Sequence, residues 1–166
     1  MEYVRLQSIA DGSLLSDRFQ YNRGGYFSKV DQKLFDEMID YQVKAKIPRT
    51  GARFGLQGGA ISKVAESATP FADRDGVHQA SLDVSWTANA NYDAAAGIKH
   101  LRDLWALLEP HSTHGFYLNT MTDDDSQDRI RKSYRGNYAR LQAIKAKYDP
   151  TNFLHLNPNI KPKADA

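Results

Sequence analysis

Apolar and polar positions along this chain repeat with two periods, and the change from one to the other marks out its elements. Between Val77 and Trp86, Ala80, Leu82, Val84 and Trp86 alternate with Gln79, Ser81, Asp83 and Ser85. That period of two predicts a strand with one apolar and one polar face. Leu34, Phe35, Met38, Ile39 and Val43 instead share one side of a helix ending before Pro48. Asp31 is placed to cap this helix, and Val30 can staple onto Phe35. Ile98, Leu101, Leu104, Trp105 and Leu108 predict a second helix, from about Asn91 to Glu109, closed by Pro110. Tyr138, Leu141, Ile144 and Tyr148 predict a third, from Asn137 to Tyr148, stopped by Asp149-Pro150 because proline cannot continue the hydrogen-bond ladder.

Shorter signals fill the gaps. Tyr3, Val4, Leu6 and Ile9 suggest a strand, and Phe19, Tyr21, Tyr26 and Phe27 suggest strand on either side of a break at Gly24-Gly25. Arg53 to Leu56 and Gly115 to Asn119 read as further strands. An acidic turn at Asp123 to Asp125 leads into a helix near Asp128 to Tyr134. Beyond Pro150 the chain runs irregularly through Phe153, Leu154 and Leu156, whose apolar character predicts a tail docked on the body. Strands alternating with helices but joined by hairpin-like links imply an α+β fold, an antiparallel sheet backed by helices, rather than a doubly wound parallel sheet.

Composition narrows the function classes. With 166 residues, 41% of them apolar, the chain can build one ordinary core, so residues 1–166 read as a single domain. The 22 basic and 20 acidic residues are interspersed and the net charge is +2, which argues against nucleic acid or an anionic membrane surface as partner. Neither a membrane span nor the pattern of a secretory leader is present, and the sequence reads as cytoplasmic. There is no cysteine, hence no disulfide and no thiolate metal site.

Few residues offer chemistry. His111 and His114 could hold a metal only with a third ligand that the sequence does not nominate, so no metal site is expected. Gln57-Gly58-Gly59-Ala60 reads as a tight turn and lacks the spacing and lysine of a phosphate loop. Tyr117 and Asn119 stand two apart on a predicted strand, so both would emerge from one face. A tyrosine can take a proton from a substrate hydroxyl, with an asparagine beside it bonding a substrate or cofactor oxygen. Equally, such a tyrosine can be half-buried with a satisfied hydroxyl.

Several runs together resemble one family. Gly136-Asn137-Tyr138, Arg140-Leu141, Lys145 to Pro150, Asn152-Phe153 and Asn157 to Ile160 resemble the C-terminal signature of berberine bridge enzyme-like FAD-linked oxidases. Gly58 to Ser62, Thr69-Pro70-Phe71, Arg74 and Gly115 to Asn119 look like the substrate-domain motifs of that family, in the same order. The resemblance implies a substrate-domain-like part over residues 1–120 and a C-terminal berberine-bridge-like segment over 121–166. It implies Tyr117 as catalytic base and Asp83 as a helper base, with Asn119, Asn157 and Asn159 near a flavin ring. Asp73 stands where the family usually has histidine, which weakens a site assignment there.

The FAD pyrophosphate-binding domain of such oxidases is not represented in these motifs. The resemblance therefore implies the back portion of an oxidase acting on an alcohol or related small organic substrate. FAD would serve a complete family member, and the chain alone would not retain it. A homodimer or a separate FAD-domain chain would complete the structure. Two other readings stay open: a non-catalytic binding or structural remnant of the fold, and a cofactor-free acid-base isomerase or lyase using Tyr117 and Asp83.

Overall fold

The computed structural model describes residues 2–9, 11, 17–76, 78–88, 91–122, 124–156 and 158–163. A three-stranded antiparallel sheet organises it, with β3 (His78–Thr87) paired to β1 (Arg18–Phe27) on one side and β2 (Thr50–Leu56) on the other. β1 and β2 are both antiparallel to β3 and therefore parallel to each other. They are joined by the helix α2 (Gln32–Ala45), so β3 inserts into a split crossover unit. The sequence expectation of an antiparallel sheet backed by helices is met.

The alternation in β3 decides the layering. Ala80, Leu82 and Val84 are buried against Leu101, Leu104, Trp105 and Leu108 of α3 (Ala94–Leu108), with Leu34 and Met38 of α2 beside them. Asp31 accepts the Leu34 N–H at 2.9 Å and Asp93 the Ala96 N–H at 3.0 Å, so each helix starts on a side-chain cap. His100, buried between the helices, is satisfied by Gln42 at 2.7 Å, and Gln42 in turn donates to Thr50 at 2.7 Å. Burial pushes the His100 imidazole below its ordinary value, which keeps it neutral in this core.

Four local expectations are corrected. Tyr3–Gln7 is a short helix, α1, with its apolar side chains exposed; among the described residues no strand pairs with it. β1 runs without a break through Gly24-Gly25. A Cβ on Gly25 would lie 2.6 Å from the Trp105 ring, so glycine here permits close packing rather than a turn. The segment after Gly115 is not a strand: the backbone bonds to Tyr26 are made by Thr113 and Gly115, and Leu118–Thr120 winds into a 3-10 turn. In the tail, Phe153, Leu154 and Leu156 point outward. Polar groups fix it instead, with Asp149 accepting the N–H groups of Phe153 and Leu154 and Gln142 reaching the Lys161 carbonyl at 3.3 Å. The helices α4 (Gln127–Tyr134) and α5 (Tyr138–Tyr148) complete the chain.

Candidate active site

Directly paired residues of antiparallel strands share a face, so Tyr26 and Gln79, and likewise Asn22 and Asp83, lie on the side of the sheet away from α3. This outer face is polar, and next to its Tyr26–Gln79 end it is walled by the loop around Phe71 and the turn at Tyr117. A hollow of about 350 Å3 lies there between Tyr26, Gln57, Phe71, Arg74, Gln79 and Tyr117. A second, of about 290 Å3, lies among Tyr26, Phe71, Asp73, Tyr117, Asn119 and Pro158. Tyr26, Phe71 and Tyr117 border both, so Tyr117 stands between two hollows with 43% of its surface exposed.

The 3-10 turn, not strand parity, brings the predicted pair together. By winding at Leu118 it folds Asn119 back so that its Nδ2 donates to the Tyr117 hydroxyl oxygen at 2.8 Å. Around them the wall is aromatic: Tyr26 meets Phe71 edge-on at 5.9 Å, and the Arg74 guanidinium lies 4.8 Å over the Phe71 ring. Burial pushes the Tyr26 hydroxyl up to about 12, outweighing its hydrogen bond with Gln57. Tyr26 therefore stays protonated, and its ring forms part of the wall.

The remaining predicted residues are distributed differently. Asp83 shares the outer face with Gln79 but lies four residues along the strand, about 13 Å at ~3.3 Å per residue. It borders neither hollow and is ion-paired to Arg53 at 2.6 Å. Asn159 is half-buried, next to Pro158, and its Oδ1 is buried without a hydrogen-bond partner. Asn157 lies outside the described residues. Among the described residues no group of three or more His, Asp or Glu side chains is placed to hold a metal ion. Gln57-Gly58-Gly59 makes the expected turn, with both glycines at positive φ and Gln57 at the hollow.

Sequence reasoning missed Tyr26, Phe71, Gln79 and Asp73 as cavity residues. For Gln79 the signal was there, on the polar side of the β3 alternation. Nothing in the sequence gave the register that sets Tyr26 opposite it. Asp73 was discounted as a departure from the family pattern, yet it is 2% exposed, accepts from the Thr113 hydroxyl at 3.0 Å and pairs with Arg135 at 2.8 Å. Burial pushes its carboxyl up, against the pull of Arg135 and Thr113.

Residues 116–161 match the family model described as "Berberine and berberine like". Among known proteins, the chain is 28% identical over 163 residues to berberine bridge enzyme-like 22 of Arabidopsis thaliana, a match covering 88% of this chain and 30% of the relative. It is 37% identical over 108 residues to a chitooligosaccharide oxidase of Gibberella zeae, covering 63% of this chain and 22% of that protein. The fold is similar to that of berberine bridge enzyme from Eschscholzia californica, with a TM-score of 0.78 at 21% identity over 92% of this chain and 34% of that one. The chain thus spans about a third or less of the length of these relatives. Over the stretch it spans, it belongs to the berberine bridge enzyme-like FAD-linked oxidases.

Proposed function

We propose that the chain forms the substrate-side wall of a FAD-dependent oxidase acting on an alcohol or related small organic substrate, with Tyr117 as the base. One observation carries this reading: an amide donor from Asn119 is aimed at the Tyr117 oxygen at the junction of two hollows. A preorganised donor stabilises the phenolate oxygen that a tyrosine base presents before it takes the proton. Tyr117 takes the proton of the substrate hydroxyl, while Tyr26 and Phe71 hold the substrate's apolar part and exclude water. When bound, FAD would supply the acceptor for the hydride from the carbon that bears this hydroxyl.

The residues present fit the polar edge of a flavin ring. Asn159 offers a buried acceptor without a donor, which a ring N–H satisfies, and Asn119 stands at the rim of the hollow. Asn157, which precedes Pro158 in the sequence, is carried over to the same edge on the family resemblance alone. In this reading the greater part of the flavin is held elsewhere, by a further stretch of polypeptide or a separate chain, and the chain alone does not retain FAD; calorimetric titration measures that directly. Asp83, fixed by Arg53 on the same sheet face and bordering neither hollow, takes no part in the proton transfer in this reading.

The exposed apolar side chains of α5 and the tail would be covered by that flavin-bearing polypeptide or by a second copy. No described helix is long and apolar enough to cross a membrane. The decisive experiment is Tyr117→Phe in a flavin-loaded assembly, read as substrate-dependent oxygen consumption. Turnover should fall about 10²-fold or more with KM little changed, since general-base catalysis contributes about 10²–10⁴-fold. Unchanged turnover would remove Tyr117 from the base role.

A further inference from the structure

Asp73 occupies a place that calls for a reason. A carboxylate 2% exposed is costly unless it is compensated. Its compensating guanidinium belongs to Arg135, whose backbone is itself unusual, with φ 48° and ψ −130°. That region favours glycine, and holding a residue with a side chain there is costly. Both costs meet at one contact, the Arg135–Asp73 pair at 2.8 Å, where Arg135 also reaches Asp75 at 2.8 Å.

The other side of the Asp73 carboxylate faces the Tyr117 turn. Thr113 donates its hydroxyl to Oδ1 at 3.0 Å, and a Cβ added to Gly115 would lie 1.7 Å from Oδ2, so the carboxylate fills the space that only glycine leaves open. Opposite, Tyr26 grips the same segment with two backbone hydrogen bonds: Thr113 N–H to the Tyr26 carbonyl at 2.7 Å, and Tyr26 N–H to the Gly115 carbonyl at 3.1 Å. Thr113 to Gly115 is thus clamped between β1 and Asp73. Tyr117 follows two residues later. Phe116, between them, donates its N–H to Ser133, on the helix that leads into Arg135.

We infer that Asp73 is a positioning residue for Tyr117: through Thr113, Gly115 and Arg135 it locks the three chain segments that wall the cavity and so fixes the ring in its place. The inference rests on the reading of Tyr117 as the base. Asparagine at position 73 keeps the size and the Thr113 contact but gives up the ion pair, after which the strained Arg135 junction has less to hold it and the turn loosens.

The test is 19F NMR of the full chain labelled with 3-fluorotyrosine, the Tyr117 signal being assigned by its loss in Tyr117→Phe. Asp73→Asn should replace the single sharp Tyr117 resonance with a broadened or split one. Thr113→Val, which removes one hydroxyl and leaves the ion pair, should do the same to a smaller extent and serves where Asp73→Asn does not fold. Leu104→Ala, which lowers stability away from the cavity, should leave that resonance sharp. In a flavin-loaded assembly, Asp73→Asn should lower kcat more than it alters KM. An unmoved Tyr117 resonance in the folded variants overturns the inference, as does equal broadening in Leu104→Ala. These outcomes are separate from the base assignment, since full turnover in Tyr117→Phe would reject that assignment whatever the Asp73 spectra show.

Discussion

α3 and α5 carry the same kind of apolar stripe and end differently. In α3 the stripe meets the central strand and α2, and six residues are buried, among them Leu101, Leu104, Trp105 and Leu108. In α5 no residue is buried. Leu141 and Ile144 border a small hollow beside Thr69 and Pro70 instead of a wall, and Tyr148 is 74% exposed. Periodicity tells which side of a helix can be buried. Whether a surface exists to bury it against is a property of the rest of the structure.

That difference is open to measurement. The largest effect is expected at Leu104, 1% exposed in the α3–β3 core, where Leu104→Ala should destabilise the fold by about 2–5 kcal/mol in chemical denaturation. A loss below about 1 kcal/mol would mean that α3 is not the keystone it appears in the contacts.

An intermediate effect belongs to the polar tie between α3 and the loop before α4. There Asp124 accepts from Tyr21 at 2.9 Å and Arg102 at 2.7 Å. Burial works against its ionisation, but the Thr122 and Tyr21 hydroxyls with Arg23 and Arg102 outweigh it and hold the carboxyl at about 2, below the ordinary 3.8. A depressed folded-state value contributes stability that is fully present above pH about 4 and is lost as pH falls toward about 2. Because the group is partly solvent-screened, the contribution should be on the order of 1 kcal/mol. Melting curves recorded through this window should show Asp124→Asn with a flatter acid limb than the parent; parallel limbs would discard the assignment.

The smallest effect is expected at Ile144, 44% exposed on α5, where Ile144→Ala should change stability by no more than about 0.5 kcal/mol in the chain by itself. The comparison sharpens if the same substitution is measured in a larger assembly. A clear loss there, against none in the isolated chain, would mark α5 as a face that another polypeptide covers.

Much of the fold was legible in the residues. The alternation of β3, the stripes of α2 and α3 and the cap at Asp31 are local patterns, and each formed close to where its pattern placed it. Tyr3–Gln7 and Gly115–Asn119 were misread because a short apolar run does not choose between strand and turn without a partner. The candidate site was legible in part. Tyr117 and Asn119 were paired correctly for a reason that proved false, since a 3-10 turn and not an extended strand joins them.

By itself the sequence determined the longer elements, the apolar face of the sheet, the lack of any thiol chemistry and the family. These follow from residue type and from spacing over a few positions, where backbone geometry leaves few alternatives. The tertiary structure decided what depends on pairs distant along the chain: the register that sets Tyr26 opposite Gln79, and the separation of Asp83 from the cavity. It also decided that a substitution discounted in the sequence, Asp73, would meet Arg135 across 62 positions and hold the wall of the site. Such contacts are made only when the sheet and helices have fixed their neighbours, and no local pattern encodes them.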